Sequence, residues 1–135
     1  MYAMMEGKII ENSIDSVLLK PIGSGITYEI RITEKTANEL ASAESVAKLY
    51  LYFRVNEHFH QLIGFLTLEE KKLFEDLMNV NGVGPLTALA ITGIGSPENI
   101  YQAIRMGNYN YLARGKRVGE KVAQKIILAL QAKFR

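Results

Sequence analysis

Hydrophobic and polar residues alternate with a period of two through the first half of the chain. Short apolar runs rich in β-branched and aromatic residues are separated by turn signals such as PIGSG at 21–25, a pattern that predicts strands. The predicted strands cover residues 4–10, 16–20, 27–33, 49–55 and 61–65. One helix is predicted at 34–43, in EKTANELASA. Five short strands and one helix indicate a closed β-barrel of the OB type, because closure removes exposed sheet edges, with a small open sandwich as the alternative.

The apolar period becomes helical after residue 66. Thr67, followed three residues later by Glu70, forms a capping box ahead of an apolar stripe. Pro85 suits the first turn of the next helix, and Gly107 suits the end of a later one. Short helices joined by glycine-containing turns predict a bundle of helical hairpins.

The change of period divides the chain into two predicted domains. We expect a mixed α and β protein with a five-stranded OB-fold barrel over residues 1–66. An all-α domain with tandem helix-hairpin-helix motifs follows over residues 67–135.

Two stretches in the helical part repeat each other. NGVGPLTALAI at 81–91 and KRVGEKVAQKI at 116–126 share four residues at an offset of 35. The matched pairs are Val83 and Val118, Gly84 and Gly119, Ala88 and Ala123, and Ile91 and Ile126. The second copy has Arg117 where the first has Gly82. The repeat predicts two related hairpins that differ in chemistry.

A Gly-Val-Gly turn that leads into a helix predicts an anion site built from the backbone. Glycines permit a sharp turn and leave nothing between its N–H groups and a ligand, while the next helix directs its N-terminus to the same place. Backbone N–H groups cannot distinguish bases, so the expected partner is a nucleic-acid backbone. One such turn is often only a turn, but two in register favour a site that holds both strands of a duplex.

Charge is spread unevenly along the chain. Residues 1–65 carry a net charge of −2 and residues 66–135 carry +4, and 105–135 contain eight bases and one acid. A basic end favours a polyanionic partner, although a solvated helix face gives the same pattern.

The chain has no cysteine, which excludes disulfides and thiolate chemistry. It has no apolar run long enough for a membrane span and no signal-peptide pattern, so a cytoplasmic location without membrane contact is expected.

The hairpin residues resemble a known family. LFEDLMNVNGVGPLTALAITGI at 73–94 and YLARGKRVGEKVAQKIILAL at 111–130 are similar to the two helix-hairpin-helix motifs of RuvA proteins, the Holliday junction-binding subunits of the bacterial branch-migration complex. MMEGKIIE, GSGITYEI and LIGF resemble strands of that family's N-terminal OB domain. The resemblance covers essentially the whole chain, and NGVGP is its most specific part.

The resemblance implies a DNA-binding subunit that is not itself an enzyme. RuvA proteins form a homotetramer or octamer that holds a four-way junction open, with the RuvB ATPase driving the arms and the RuvC resolvase as a further partner. No cofactor is expected, in keeping with the lack of a GxxxxGK[ST] match. The OB domain would form the tetramer and junction centre, and the hairpins would contact the arms. The implied DNA-binding residues are Asn81, Gly82, Val83, Gly84, Leu86 and Thr87 in the first hairpin, and Arg114, Lys116, Arg117, Val118, Gly119, Glu120, Lys121 and Lys125 in the second.

The family also carries an acidic pin between the last two strands of its OB domain. The matching positions here are Glu57 and His58, so only one of the two is acidic. A carboxylate at the junction centre would repel phosphates and help to separate strands; an ordinary hairpin acid is the alternative. His58 and His60 lack further ligands nearby in the sequence, so no metal site is expected.

Both hairpins depart from the family pattern. Leu86 stands where members often have lysine, although Thr87 could still donate a hydrogen bond. Arg117 occupies a usual glycine position and Lys116 a common proline position. We hypothesise that a side-chain contact from Arg117 or Lys116 replaces part of a lost backbone contact. Whether Arg117 reaches DNA or spoils the turn is left open by the sequence.

RuvA proteins continue into a third, helical domain that engages RuvB, and the sequence ends at Arg135. The expectation is a chain that binds junctions without supporting RuvB-driven branch migration.

Two other classes of function make different demands on the sequence. A repair glycosylase or nuclease would need a catalytic lysine or aspartate in a pocket, or a carboxylate cluster, and Asp15 and Asp76 are the only aspartates. A sequence-independent duplex or single-strand DNA-binding or scaffold module would show no preference for four-way junctions. Tyr50 and Tyr52 lie on one predicted strand face, where base stacking and packing are both open.

Overall fold

The computed structural model describes residues 2–41, 45–58 and 60–134. The strands are β1 (Met4–Asn12), β2 (Ser16–Pro21), β3 (Tyr28–Arg31), β4 (Val46–Val55) and β5 (His60–Phe65). The helices are α1 (Glu34–Ala41), α2 (Leu68–Met78), α3 (Pro85–Thr92), α4 (Pro97–Arg105), α5 (Tyr109–Leu112) and α6 (Glu120–Leu130). The chain divides into two compact units, Met1–Lys71 and Lys72–Arg135. This division lies inside α2, whereas the predicted boundary precedes that helix.

The five strands close into a barrel in the order β1-β2-β3-β5-β4. Neighbouring strands run antiparallel except for β3 and β5, which are parallel. The predicted OB-type closed barrel is therefore confirmed, and the open sandwich is wrong. Closure pairs the edges that an open five-stranded sheet would leave exposed.

Alternating side chains of the barrel strands fill its interior. In β4, Ala47, Leu49 and Leu51 are buried, while the intervening Lys48 is exposed and Tyr50 half-buried. β2 alternates in the same way, whereas β5 buries four consecutive residues, Leu62 to Phe65. The fully buried large residues of the barrel are Leu19, Ile30, Ile32, Leu49, Leu51, Ile63 and Phe65.

The third predicted strand is shorter than expected because a helix start follows it. Strand β3 ends at Arg31, and Thr33 then caps α1: its hydroxyl oxygen accepts a hydrogen bond of 3.0 Å from the Thr36 N–H. The helix predicted at 34–43 is observed as Glu34–Ala41. Residues 42 and 43 of that prediction lie outside the described residues.

Helix α2 begins at the predicted cap. The Glu70 N–H donates to the Thr67 Oγ1 over 3.2 Å, and the Thr67 hydroxyl donates to the Glu70 carboxylate over 3.0 Å. Glu70 is buried, and the Lys35 ammonium lies 3.8 Å from its second carboxylate oxygen. The predicted capping residues are thus confirmed as the start of the helix.

A second polar cluster joins α2, α4 and the end of the chain. The Tyr101 hydroxyl donates to one Asp76 carboxylate oxygen over 2.8 Å, and the Lys133 ammonium lies 3.2 Å from the other. The Phe134 ring packs edge-on against Tyr101. Burial, followed by the hydrogen bond to Asp76 and the Asp76 charge, raises the pKa of the Tyr101 hydroxyl well above its usual range. Tyr101 therefore remains a donor throughout the physiological pH range.

No helix in the described part of the chain is both long enough and apolar enough to cross a membrane.

Candidate nucleic-acid interface

The first hairpin joins α2 to α3 through a turn centred on Gly82. Gly82 has a φ of +85°, and the Val83 N–H donates back to the Val80 carbonyl over 3.1 Å. Gly84 is extended (φ −92°, ψ 175°) and occupies the N-cap of α3, where Pro85 takes the first helical position. No side chain caps this end, so backbone N–H groups of the first turn remain available to a ligand.

The second hairpin repeats this geometry residue for residue. Arg117 has a φ of +64°, and the Val118 N–H donates to the Gly115 carbonyl over 3.1 Å. Gly119 is the extended N-cap of α6 (φ −78°, ψ 168°), again without a side-chain cap. Arg117 therefore does not spoil the turn, because it adopts the left-handed conformation that Gly82 adopts in the first copy.

Buried residues at equivalent positions hold both turns. Val83 and Val118 are 7% and 5% exposed, although each lies between exposed residues. The helices that follow contribute Ile91 and Ile126, both fully buried. Because these positions match at the same 35-residue offset, the shared packing holds both turns in one shape although only the first has glycine at the left-handed position.

A left-handed arginine carries a conformational cost. Arg117 is the one non-glycine residue with positive φ among those described. The left-handed region costs a residue with a Cβ about 1–2 kcal/mol. Gly82 avoids this cost, and the packing around Val118 must offset it at Arg117.

The predicted contact residues of the first hairpin lie at the surface, with the exception of the buried Val83. Asn81, Gly82, Gly84 and Leu86 are exposed, and Thr87 is half-buried. Leu86 is an exposed apolar side chain, 51% accessible, on the first turn of α3. The turn and the helix start thus present a surface of backbone groups without a cation of their own.

The second hairpin presents a cationic surface. Its exposed charged residues are five bases and one acid: Arg114, Lys116, Arg117, Glu120, Lys121 and Lys125. The Arg114 guanidinium lies 4.9 Å from the centre of the Tyr111 ring, a cation–π contact that orients it. Sequence reasoning missed Tyr111, because nothing in the repeat distinguishes it from an ordinary core tyrosine.

Lys125 lies closer to the first turn than the sequence indicates. It belongs to α6, the helix of the second hairpin, but its Nζ is 2.6 Å from the point where a Cβ on Gly82 would stand. In the same way, Gly115 of the second turn lies against the Ala90 backbone of α3, with 3.4 Å to a Cβ placed there. The structure therefore brings each turn against the helix of the other hairpin.

The two pin positions occupy the connection between β4 and β5. Glu57 and His58 are both exposed, and the His58 N–H donates to the Asn56 side-chain oxygen over 2.7 Å. Phe59, in the predicted connection, lies outside the described residues. Among the described side chains, no group of three histidines, cysteines, aspartates or glutamates is placed to hold a metal ion.

The barrel carries a separate open depression of about 610 Å³ lined in part by Asp15, Glu29, Arg31 and His60. The Arg31 guanidinium is 3.8 Å from the Asp15 carboxylate. The two acids disfavour a phosphate there, so the hairpins are the better candidate for binding a polyanion.

A closed five-stranded barrel followed by two helix-hairpin-helix turns places the chain among OB-fold proteins with tandem helix-hairpin-helix motifs. The family model described as RuvA N terminal domain matches residues 1–64. The model described as SAM-like helix-hairpin-helix tandem matches residues 74–132.

Relatives extend this match over nearly the whole chain. A Holliday junction branch migration complex subunit RuvA of Amoebophilus asiaticus is 38% identical over 133 residues, 98% of this chain and 68% of the relative. The subunit of the same name from Bdellovibrio bacteriovorus is 40% identical, over 99% of this chain and 68% of its own length. That of a Thermoanaerobacter species is 37% identical, over 99% and 71%. The chain belongs to the RuvA family.

Proposed function

We propose that this chain binds four-way (Holliday) junction DNA through phosphate-backbone contacts at its two hairpins. The repeated turn carries this proposal: Gly82 and Arg117 share positive φ, and each turn ends in an uncapped helix N-terminus. The relatives named as branch-migration subunits support the junction as the substrate. Sites that read only phosphates fit a substrate defined by its branching instead of its sequence.

In the proposed complex the chain is a non-catalytic subunit. It holds the junction open as a homotetramer, or as two tetramers stacked into an octamer, and the RuvB ATPase and the RuvC resolvase are the further partners that the family resemblance implies. The predicted OB-fold domain, residues 1–66, forms the tetramer and the junction centre. The helical part, residues 67–135, contacts the arms, and the protein works in the cytoplasm.

At the junction centre we assign the pin role to Glu57. Its carboxylate is exposed in the β4–β5 connection, with His58 beside it. One carboxylate from each subunit repels the phosphates that converge at the crossover and keeps the strands from re-pairing.

The proposed DNA-binding residues fall into two groups. Asn81, Gly82 and Gly84 act through the backbone of the first turn, with Leu86 and Thr87 on the first turn of α3, while the buried Val83 holds the turn. In the second hairpin Gly119 provides the same backbone surface and the buried Val118 holds the turn. The charged side chains around it are Arg114, Lys116, Arg117, Glu120, Lys121 and Lys125.

A gel-shift comparison tests the function. A four-way junction and a linear duplex with the same arm sequence are titrated with the chain at matched salt. The expected result is a discrete complex with the junction at protein concentrations that leave the duplex free. Equal affinity for the two DNAs would instead support a duplex-binding or scaffold module without junction specificity. Incubation of the labelled junction with Mg²⁺ and the chain should leave all strands intact.

A further inference from the structure

The first hairpin has no basic residue of its own near the turn. Residues 79–92, which cover the turn and α3, contain neither lysine nor arginine. At the position where the second hairpin has Lys121, the first has Leu86, 35 residues earlier. A phosphate at the first turn would therefore meet backbone N–H groups but no cation from the same hairpin.

Lys125 of α6 places a cation at this turn. Its Nζ lies 2.6 Å and its Cε 3.7 Å from the point where a Cβ on Gly82 would stand. Lys125 is exposed, and among the described residues no carboxylate lies within salt-bridge distance of it. Its ammonium group is thus available to an anion at the turn.

The internal repeat explains why a side chain from the second hairpin reaches the first. Lys125 is equivalent to Ala90 at the 35-residue offset, and the Ala90 backbone lies against Gly115 of the second turn. Each of these positions faces the turn of the opposite hairpin. At position 90 it is the backbone that approaches the second turn, whereas at position 125 a long side chain extends to Gly82 of the first turn.

We propose that Lys125 is the phosphate-binding cation of the first hairpin, so that one phosphate is bound jointly by the Gly82–Gly84 backbone and the Lys125 ammonium. This inference rests on the proposed function. It gives Gly82 a second role besides its positive φ, since a Cβ there would occupy the space next to the ammonium. It also means that the two hairpins bind DNA as one coupled surface.

The test is a rescue experiment on the full chain with a fluorescently labelled four-way junction. Junction affinity is measured by anisotropy over a series of salt concentrations for Lys125→Gln, Lys121→Gln and Leu86→Lys. The two double variants, Leu86→Lys with Lys125→Gln and Leu86→Lys with Lys121→Gln, carry the same net charge as each other. Lys72→Gln, an exposed cation in the first half of α2, is the matched control. Circular dichroism verifies that each variant folds.

Losing one phosphate contact lowers the salt slope by about 0.9 per bound chain, which amounts to about eightfold in affinity over the decade between ~1 M and ~0.1 M salt. Lys125→Gln should show this loss per bound chain, and Lys72→Gln should not. Added to Lys125→Gln, Leu86→Lys should restore most of the lost junction affinity, because the new lysine supplies a cation to the same phosphate. In the Lys121→Gln background the gain from Leu86→Lys should be at least about threefold smaller.

Equal gains from Leu86→Lys in the two backgrounds would overturn the role of Lys125 at the first turn, as would a Lys125→Gln variant that binds like Lys72→Gln. A failure of the proposed function has a different signature. In that case the unmodified chain itself would bind the four-way junction no better than a linear duplex.

Discussion

The two hairpins have nearly the same backbone and very different surfaces. The first has glycine at its left-handed position, an apolar side chain on the next helix and no basic residue of its own. The second has arginine at the left-handed position and four further exposed bases near it. The turn therefore depends on its buried anchors, Val83 and Val118, more than on glycine at the left-handed position. Once the anchors fix the backbone, the exposed positions are free to differ in charge.

The largest effect that tests whether the two hairpins are structurally equivalent is expected in the helix that follows each turn. Ile91 in α3 and Ile126 in α6 are both fully buried. Replacing either by alanine should cost about 2–5 kcal/mol of unfolding free energy, since it removes buried methyl groups and leaves a cavity. Urea denaturation of Ile91→Ala and Ile126→Ala should give similar values. A cost below about 1 kcal/mol for only one of them would show that the two isoleucines are not equivalent.

The left-handed positions should respond in opposite directions. Gly82→Ala should destabilise the fold by about 1–2 kcal/mol, because alanine is strained at positive φ. Arg117→Gly should stabilise it by roughly 1 kcal/mol, the relief of strain being partly offset by the freedom of glycine in the unfolded chain. Arg117→Ala is the control, since it removes the side chain but keeps the strain. If Arg117→Gly and Arg117→Ala were equally stable in urea, the left-handed assignment would be wrong.

The same two variants separate charge from conformation in DNA binding. We expect Arg117→Gly and Arg117→Ala to weaken junction binding equally, each lowering the salt slope by about 0.9 per bound chain. The measurement is anisotropy against a labelled junction from low to high salt. Unchanged affinity and slope in both variants would rule out a phosphate contact from Arg117, and Lys116 would remain the candidate for that contact.

A smaller effect is expected where the equivalent positions Asp76 and Tyr111 differ in role. Asp76 binds the Tyr101 hydroxyl, whereas Tyr111 supports Arg114. Tyr101→Phe should cost about 1 kcal/mol, since it removes a partly buried hydrogen bond to a charged acceptor.

The Tyr101 hydrogen bond also has a pH signature. Its pKa is raised in the folded chain from the ordinary value of 10.0. The unfolded chain therefore releases this proton first, and the stability due to Tyr101 is present below pH 10 and declines as the pH rises above it. Urea denaturation at alkaline pH should show a shallower loss of stability in Tyr101→Phe. An identical alkaline decline in both proteins would contradict the role of the bond.

Much of the fold could be predicted from local pattern. The period of two along β4 and the Thr67–Glu70 capping box depend on neighbouring residues, and both features are observed. The repeat at Val83 and Val118 likewise indicated two hairpins before any geometry was available.

The structural features that the sequence does not predict depend on contacts between residues that are distant along the chain. The left-handed Arg117 is held by tertiary packing that overrides the preference of arginine. The position of Lys125 beside Gly82 arises from how the two hairpins pack together. Sequence proximity alone assigns Lys125 to the second hairpin. The helix α5 is only four residues long, too short to leave a periodic signal.

The most direct measurement is a ¹H–¹⁵N NMR titration of the labelled chain with a short linear duplex, which serves as a single junction arm. If both turns bind phosphate through their backbones, the amide resonances at the uncapped helix starts, Gly84 and Leu86 in the first hairpin and Gly119 and Lys121 in the second, should shift together, with one apparent dissociation constant that increases with salt. Shifts confined to one turn, or largest shifts in the barrel strands, would contradict a two-hairpin phosphate interface.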